Sequence, residues 1–138
     1  MYSNNQEDLK CIVMIIVGSF PYGNKNMARI KNIVDGLSSL EWNISVANIF
    51  PNRFAPAPMT KHISQWNHTK VYRLHPYKTY PTNRLKRLIQ MISGIINSLI
   101  LVSKLKKGNV VYFYNPTLLD TSWSMVLARM KGLKIVVD

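Results

Sequence analysis

Carboxylates are scarce in this sequence. Only six of the 138 residues are Asp or Glu, against 18 Lys and Arg, which leaves a formal charge of +12. None of the six falls between Trp42 and Leu119, a 78-residue stretch that holds eleven Lys/Arg and all three histidines. Such a surface steers polyanions, either nucleic acid or anionic lipid head groups. Cysteine is scarcer still. Cys11 stands alone, which excludes an internal disulfide, and it is expected to pack as a small apolar residue ahead of the first strand. No Cys or His cluster has metal-ligand spacing, so no metal is expected, and His62, His68 and His75 read as surface residues. A secretion signal is lacking too. Met1 to Lys10 is polar, carries Glu7 and Asp8, and has neither a basic n-region nor an apolar h-region, so a cytoplasmic protein is expected. The longest uncharged segment around an apolar pattern is Leu88 to Ser103, 16 residues broken by Gln90, Gly94 and Asn97. A spanning helix needs about 20 mostly apolar residues, which argues against a transmembrane segment. There are no internal repeats and no low-complexity tract.

What is present is a chain that is 47% hydrophobic and long enough to bury one core. It is organised around Ile12 to Arg29. Six apolar residues, Ile12 to Val17, end at Gly18; a loop with Pro21 and Gly23 follows, and Asn26-Met27-Ala28-Arg29-Ile30 opens a helical pattern. A short apolar run bounded by glycine reads as a strand buried on both faces. Strand, glycine loop and helix begin a βαβ unit. The helix N-terminus then faces the loop with unpaired N–H groups and the positive end of its dipole, a place suited to phosphate or carboxylate. The loop fits neither standard nucleotide pattern. Gly18-x-x-x-x-Gly23 has Walker spacing, but Lys25 comes one place late and the magnesium-binding hydroxyl is missing. Position 20 is Phe, which breaks G-x-G-x-x-G, and no acid ends the second strand.

The remaining elements alternate. A strand is expected over Lys10–Val17, and a helix over Asn26–Leu40 with Ile30, Ile33, Val34, Leu37 and Leu40 on one face. A second strand spans Ile44–Phe50. Pro51 to Asn67 breaks all periodicity and reads as a long irregular loop, an excursion with a functional cast. Lys70–Leu74 is a short strand ended by His75-Pro76. Between Pro81 and Lys107 lies a long helix, with Pro81 suited to its first turn. Its Leu85, Leu88, Ile89, Ile92, Ile95, Ile96 and Leu99 form one apolar stripe, with Arg87, Gln90, Gly94, Asn97 and Lys104 roughly opposite. That helix is either a core helix or one lying on a membrane surface. Both hold at once if one face packs on the sheet while the basic ends, Arg84, Lys86 and Arg87 with Lys104, Lys106 and Lys107, meet anionic lipid. A strand over Asn109–Tyr114, a helix over Leu118–Lys131 stopped by Gly132, and a strand over Lys134–Asp138 complete the pattern. The fold class is α/β, a parallel sheet with helices on both faces.

Gly18-Ser-Phe-Pro-Tyr-Gly through Ala28-Arg29-Ile30, then Gly36-Leu37 and Ile44-Ser-Val-Ala, resembles the N-terminal lobe of family-4-type glycosyltransferases of the GT-B fold. Those open with a strand, an F-P-x-G type loop and a helix with A-x-x-R-I-like residues, closing on a G-L … L-G-H-x-V-x-V phrase. Here Glu41-Trp42-Asn43 stands where Gly-His is usual. Asn109-Val-Val-Tyr-Phe-Tyr-Asn-Pro and Gly132-Leu-Lys-Ile-Val-Val-Asp look like later strands of that lobe. The resemblance covers 11–50 and 109–138 and is absent over 51–81.

It implies a Rossmann-like domain over 1–138, incomplete, with the C-terminal donor-binding domain absent. It also implies retaining transfer of a sugar from a nucleotide-sugar donor to a glycan or lipid-linked acceptor, in polysaccharide or glycolipid biosynthesis, with no cofactor and no metal. By position, Gly18, Ser19, Pro21, Gly23, Asn24 and Arg29 would bind substrate, Arg29 reaching the donor diphosphate; Asn115 and Asp138 are the candidate catalytic residues. The expected place is the cytoplasm, peripheral on the inner face of the membrane. The alternative is a basic membrane-peripheral or nucleic-acid-binding α/β module without catalysis. For nucleic acid, Val71-Tyr-Arg-Leu-His-Pro-Tyr-Lys-Thr-Tyr interleaves basic and aromatic residues as stacking platforms do, but no RRM, KH, zinc or helix-turn-helix signature accompanies it.

Overall fold

The computed structural model describes residues 11–22, 25–50, 62–77, 79–116, 119 and 121–138. Gly23, Asn24 and most of the proline-rich loop, residues 51–61, lie outside them. In order the elements are β1 (Cys11–Ile16), α1 (Lys25–Ser38), β2 (Asn43–Asn48), β3 (Ile63–Trp66), β4 (Thr69–Arg73), α2 (Arg84–Ser103), β5 (Val110–Tyr114), α3 (Ser122–Met130) and β6 (Lys134–Val137).

The expected α/β architecture is the one observed. Six strands form one sheet in the order β3-β4-β2-β1-β5-β6. All neighbours are parallel except β3, which pairs antiparallel with β4. Alternation along the strands splits the core in two. Ile12, Met14 and Ile16 of β1 pack with Ile30 and Val34 of α1, while Val13 and Ile15 pack on the other face with Val102 of α2 and Ala128 of α3. Cys11 is half-buried against this second cluster, and burial pushes its thiol pKa up. Helices therefore cover both faces. Connections from β1 to β2 run to one side of β1, and the chain returns through α2 to place β5 on the other. The strand order reverses between β1 and β5, and there the strand ends open a crevice.

Three expectations need correction. Residues 63–66 are a strand, not irregular loop: Ile63–Trp66 folds back on β4 through Asn67, whose φ of 52° lets the chain turn tightly, and His68. An Asn in the left-handed region is turn chemistry that the proline-dominated segment obscured. Leu40 falls beyond α1 and is 67% exposed. Helix α3 runs from Ser122 to Met130, the expected start at Leu118 lying outside the described residues, and Gly132 just past it takes a φ of 67°. Helix α2 starts after Pro81, at Arg84, because the Asn83 side chain accepts the Leu85 N–H at 2.8 Å and caps it.

The largest correction concerns which side of α2 is buried. The residues facing the sheet are Gln90, Gly94, Ser98 and Val102, at four-residue steps. The apolar stripe faces solvent: Leu85, Leu88, Ile89, Ile92 and Ile96 are 45–64% exposed. The cause is close approach. A Cβ at Gly94 would stand 2.7 Å from the Ile49 carbonyl oxygen, so only glycine lets the helix settle there. The polar groups on this face find partners. Ser98 and Ser124 hydroxyls lie 2.6 Å apart, and Asn97 donates to the Leu74 carbonyl at 2.6 Å.

Candidate functional site at the strand ends

Three strand ends and one helix start meet at the point of reversal. Gly18 to Tyr22 follows β1, turning by a Tyr22 N–H to Ser19 carbonyl bond of 2.7 Å. Asn48, the last residue of β2, clamps this loop: its Oδ1 accepts the Phe20 N–H at 3.0 Å and its amide donates to the Phe20 carbonyl at 3.1 Å. The Phe20–Pro21 peptide is cis, and the Phe20 ring, fully buried, meets Trp66 edge-on at 5.1 Å. Ser19 and Pro21 are buried, and Tyr22 is exposed. Gly18 is where α1 crosses closely; an added Cβ would come within 2.9 Å of the Met27 methyl.

Opposite the loop, Arg29 leaves the first turns of α1 and its guanidinium gives Asp138 a 2.8 Å ion pair. The same guanidinium lies 5.9 Å from the centre of the Tyr114 ring. The second Asp138 oxygen accepts the Tyr112 hydroxyl at 2.6 Å. Burial and that carboxylate push the Tyr112 pKa up to about 12, so it remains a proton donor. Asn115, past β5, takes a φ of 48°, and its N–H donates to the Asp138 main-chain carbonyl at 2.7 Å. Arg29, Asn115 and Asp138, distant in sequence, thus form one cluster with Tyr112 and Tyr114. The two tyrosines and Asn48 were not singled out in the sequence. Their signals were present but faint: Tyr112 and Tyr114 are two apart on a strand, hence on one face, and Asn48 is a polar residue closing an apolar strand.

The cluster is polar and charged, unlike the cavity of about 670 Å³ between α3 and β6. That cavity is walled by Pro116, Met125, Val126, Leu133 and Val137, with Arg129 the one charged lining residue among the described residues. Among the described residues no group of three or more His, Cys, Asp or Glu is placed to hold a metal. Arg84, Lys86, Arg87, Lys104, Lys106 and Lys107 are all exposed, at the two ends of α2.

A second polar cluster sits at the end of β4. Arg73 is buried and its guanidinium donates to His62 at 3.3 Å. His75 is 1% exposed; its Nδ1 donates to the Tyr77 carbonyl at 2.7 Å, with the Gln90 amide 3.1 Å away. Nε2 is buried without a hydrogen-bond partner. Burial therefore disfavours the cation and lowers the His75 pKa to about 4. His75 is not the surface residue expected. Within 71–80, Val71, Arg73, Leu74 and His75 are buried, whereas Tyr72 and Tyr77 are half-buried and Tyr80 is exposed.

No family model matches the sequence, and no curated protein matches it. Among solved structures, the crystal structure of WaaG, a glycosyltransferase involved in lipopolysaccharide biosynthesis, is similar at 10% identity over 88% of this chain, with a TM-score of 0.43. The chain spans 30% of the length of that protein. At that score the likeness carries no functional argument.

Proposed function

We propose that this chain is the acceptor-side, N-terminal lobe of a retaining glycosyltransferase that takes a nucleotide-sugar donor and a glycan or lipid-linked acceptor. The donor-binding role is assigned to a separate domain. The observation that carries this reading is the convergence of Arg29, Asp138, Tyr112 and Asn115 at the reversal of strand order, beside the start of α1. Ligands of open α/β sheets bind at such a point. The ordered resemblance of 18–30, 36–47, 109–116 and 132–138 to glycosyltransferase lobes supports it from the sequence.

The chemistry asked of this side is modest. When the bond between sugar and diphosphate breaks, negative charge grows on the departing phosphate. A guanidinium aimed at that charge is matched to it by shape and sign. Arg29 spends one of its N–H donors on Asp138 and is 60% exposed, so a phosphate can compete for it. Asp138 keeps a second partner in Tyr112 and is held in place during that exchange. Gly18, Ser19 and Pro21, with Gly23 and Asn24 from outside the described residues, would line the crevice on the β1 side.

The test is transfer from radiolabelled nucleotide sugars to glycan and lipid-linked acceptors, using the lobe joined to its donor-binding domain. Transfer with retained anomeric configuration is expected, and none from the 138-residue chain alone. Arg29→Ala should lower kcat by about 10²–10³, the scale of losing a transition-state charge donor. Unchanged kinetics in that folded variant would return Arg29 to an ordinary surface charge.

A further inference from the structure

Helix α2 carries a ridge that its own fold leaves uncovered. Leu85, Ile89, Ile92, Ile96 and Ile100 follow one another at steps of three or four, all at least 45% exposed, with Leu88 beside them. At 1.5 Å per residue the ridge runs about 22 Å. Soluble domains rarely line up so much large aliphatic surface without a use for it. The neighbouring α3 adds exposed Trp123, Val126 and Met130, beside its exposed Arg129. No carboxylate lies on α2, and exposed cations stand at both ends: Arg84, Lys86 and Arg87 around the ridge's first residue, Leu85, and Lys104, Lys106 and Lys107 after its last.

We propose that this ridge docks α2 flat into the interfacial region of an anionic bilayer, with the aliphatic side chains among the upper acyl segments and Arg84, Lys86, Lys106 and Lys107 among lipid phosphates, while Arg87, whose guanidinium donates to the Thr82 carbonyl, lies on the far side of the helix from the ridge. The inference is independent of the transferase reading. Charge complementarity selects the occupant. A plane of phosphates meets cations at both ends of an apolar bar at once, and long Lys and Arg stems let the charged heads stay at the water boundary. Nucleic acid would use the cations but leaves the aliphatic ridge without a role. The helix is long and apolar enough by length and composition to cross a membrane. It lies flat instead because Gly94 is pressed on Ile49, and Gln90, Ser98 and Val102 are buried in the sheet layer. The small-residue face that holds α2 down is what turns the aliphatic face out.

The experiment is sedimentation of the 138-residue chain with vesicles of phosphatidylcholine, plain or containing about one-third phosphatidylglycerol. Binding to the anionic vesicles is expected, with little to the plain ones, and it should fall steeply with salt. Arg84, Lys86, Lys106 or Lys107 changed to Gln should each weaken partitioning roughly fivefold. The triple variant Leu88→Gln, Ile92→Gln, Ile96→Gln should weaken it about a hundredfold. Its circular dichroism and unfolding midpoint should stay unchanged, because these side chains already face out. Any of four results would overturn the proposal: no binding to anionic vesicles, a triple variant that binds like the wild type, self-association through the ridge in place of lipid binding, or tighter binding to single-stranded RNA at matched salt.

Discussion

Helices α1 and α2 lie on opposite faces of one sheet and bury opposite kinds of side chain. In α1 the buried residues are Met27, Ile30 and Val34, and the exposed ones include Asn26, Arg29, Asn32 and Asp35. In α2 the buried residues are Gln90, Gly94, Ser98 and Val102, and the exposed ones include Leu85, Leu88, Ile89, Ile92, Ile96 and Ile100. Both helices show a regular 3.6-residue pattern. A pattern of that kind says which residues share a face; it does not say which face goes in. In α1 the gain from removing aliphatic area from water decides. In α2 backbone proximity decides: the glycine face sits closer to β2 than any side-chain face can, and paired polar groups offset its low hydrophobicity.

The contrast breaks most visibly under alanine. Ile30→Ala removes a fully buried side chain and should lower the unfolding free energy by about 3 kcal/mol. Ile92→Ala, at a residue 46% exposed, should change it by less than about 0.5 kcal/mol. Urea unfolding of both variants checks the pair. Equal losses would mean that α2 buries its aliphatic face after all.

Acid should loosen α2's anchorage and spare that of α1. Gln90, on the buried face of α2, lies against neutral His75, whereas α1 buries only aliphatic groups and Met. The unfolded chain protonates this histidine near pH 6.5, the folded chain only near pH 4. The folded pKa is thus depressed, so this contribution to stability is intact above pH 6.5 and is lost as pH falls towards 4. The full loss is roughly 3 kcal/mol. Stability measured across that window should decline, and His75→Gln should flatten the decline.

Glycine gives the same contrast with a change of sign. Gly36→Ala in α1 meets nothing within 4 Å and should stabilise by about 0.5–1 kcal/mol through helix propensity. Gly94→Ala in α2 has the same propensity gain but meets the Ile49 backbone, and should destabilise by about 2 kcal/mol. Thermal unfolding of the two variants reads the opposite shifts.

These cases show what the sequence carried and what it did not. Strand positions, α1 with its buried face, and the sheet class were legible because apolar runs, glycine boundaries and helical periodicity are local signals. Arg29, Asn115 and Asp138 were legible as residues at strand and helix ends. Their union through Tyr112 and Tyr114 was not, because it depends on β5 and β6 lying beside β1. Strand β3 was hidden by the prolines before it, and its hairpin turns through Asn67, with a φ of 52°, and His68. Glu41 takes a left-handed position, φ 62°, in the turn between α1 and β2, where a non-glycine residue gives no local signal of it. The orientation of α2 and the burial of His75 were out of reach, since both follow from contacts with Ile49, Leu74 and Tyr77 that form only after the sheet is built.

The smallest expected effect lies on the outward face of α1, where charge takes the place that aliphatic surface holds on α2. Arg29 and Asp138 form an ion pair with side chains 60% and 25% exposed. Water screens such pairs, so a double-mutant cycle with Arg29→Ala and Asp138→Asn should give a coupling of only about 0.2–1 kcal/mol, smaller still at high salt. That weakness is what the proposed site requires. A guanidinium bound firmly to Asp138 would be a structural tie between α1 and β6, and a phosphate could not draw it away. A coupling above about 2 kcal/mol would therefore count against the donor role while leaving the fold unchanged. The same Arg29→Ala variant should bind anionic vesicles within about twofold of the wild type, because removing one distant exposed charge leaves both ends of α2 intact. A large loss there would mean that α1 and α2 do not divide charge chemistry and lipid contact between the two faces of the sheet.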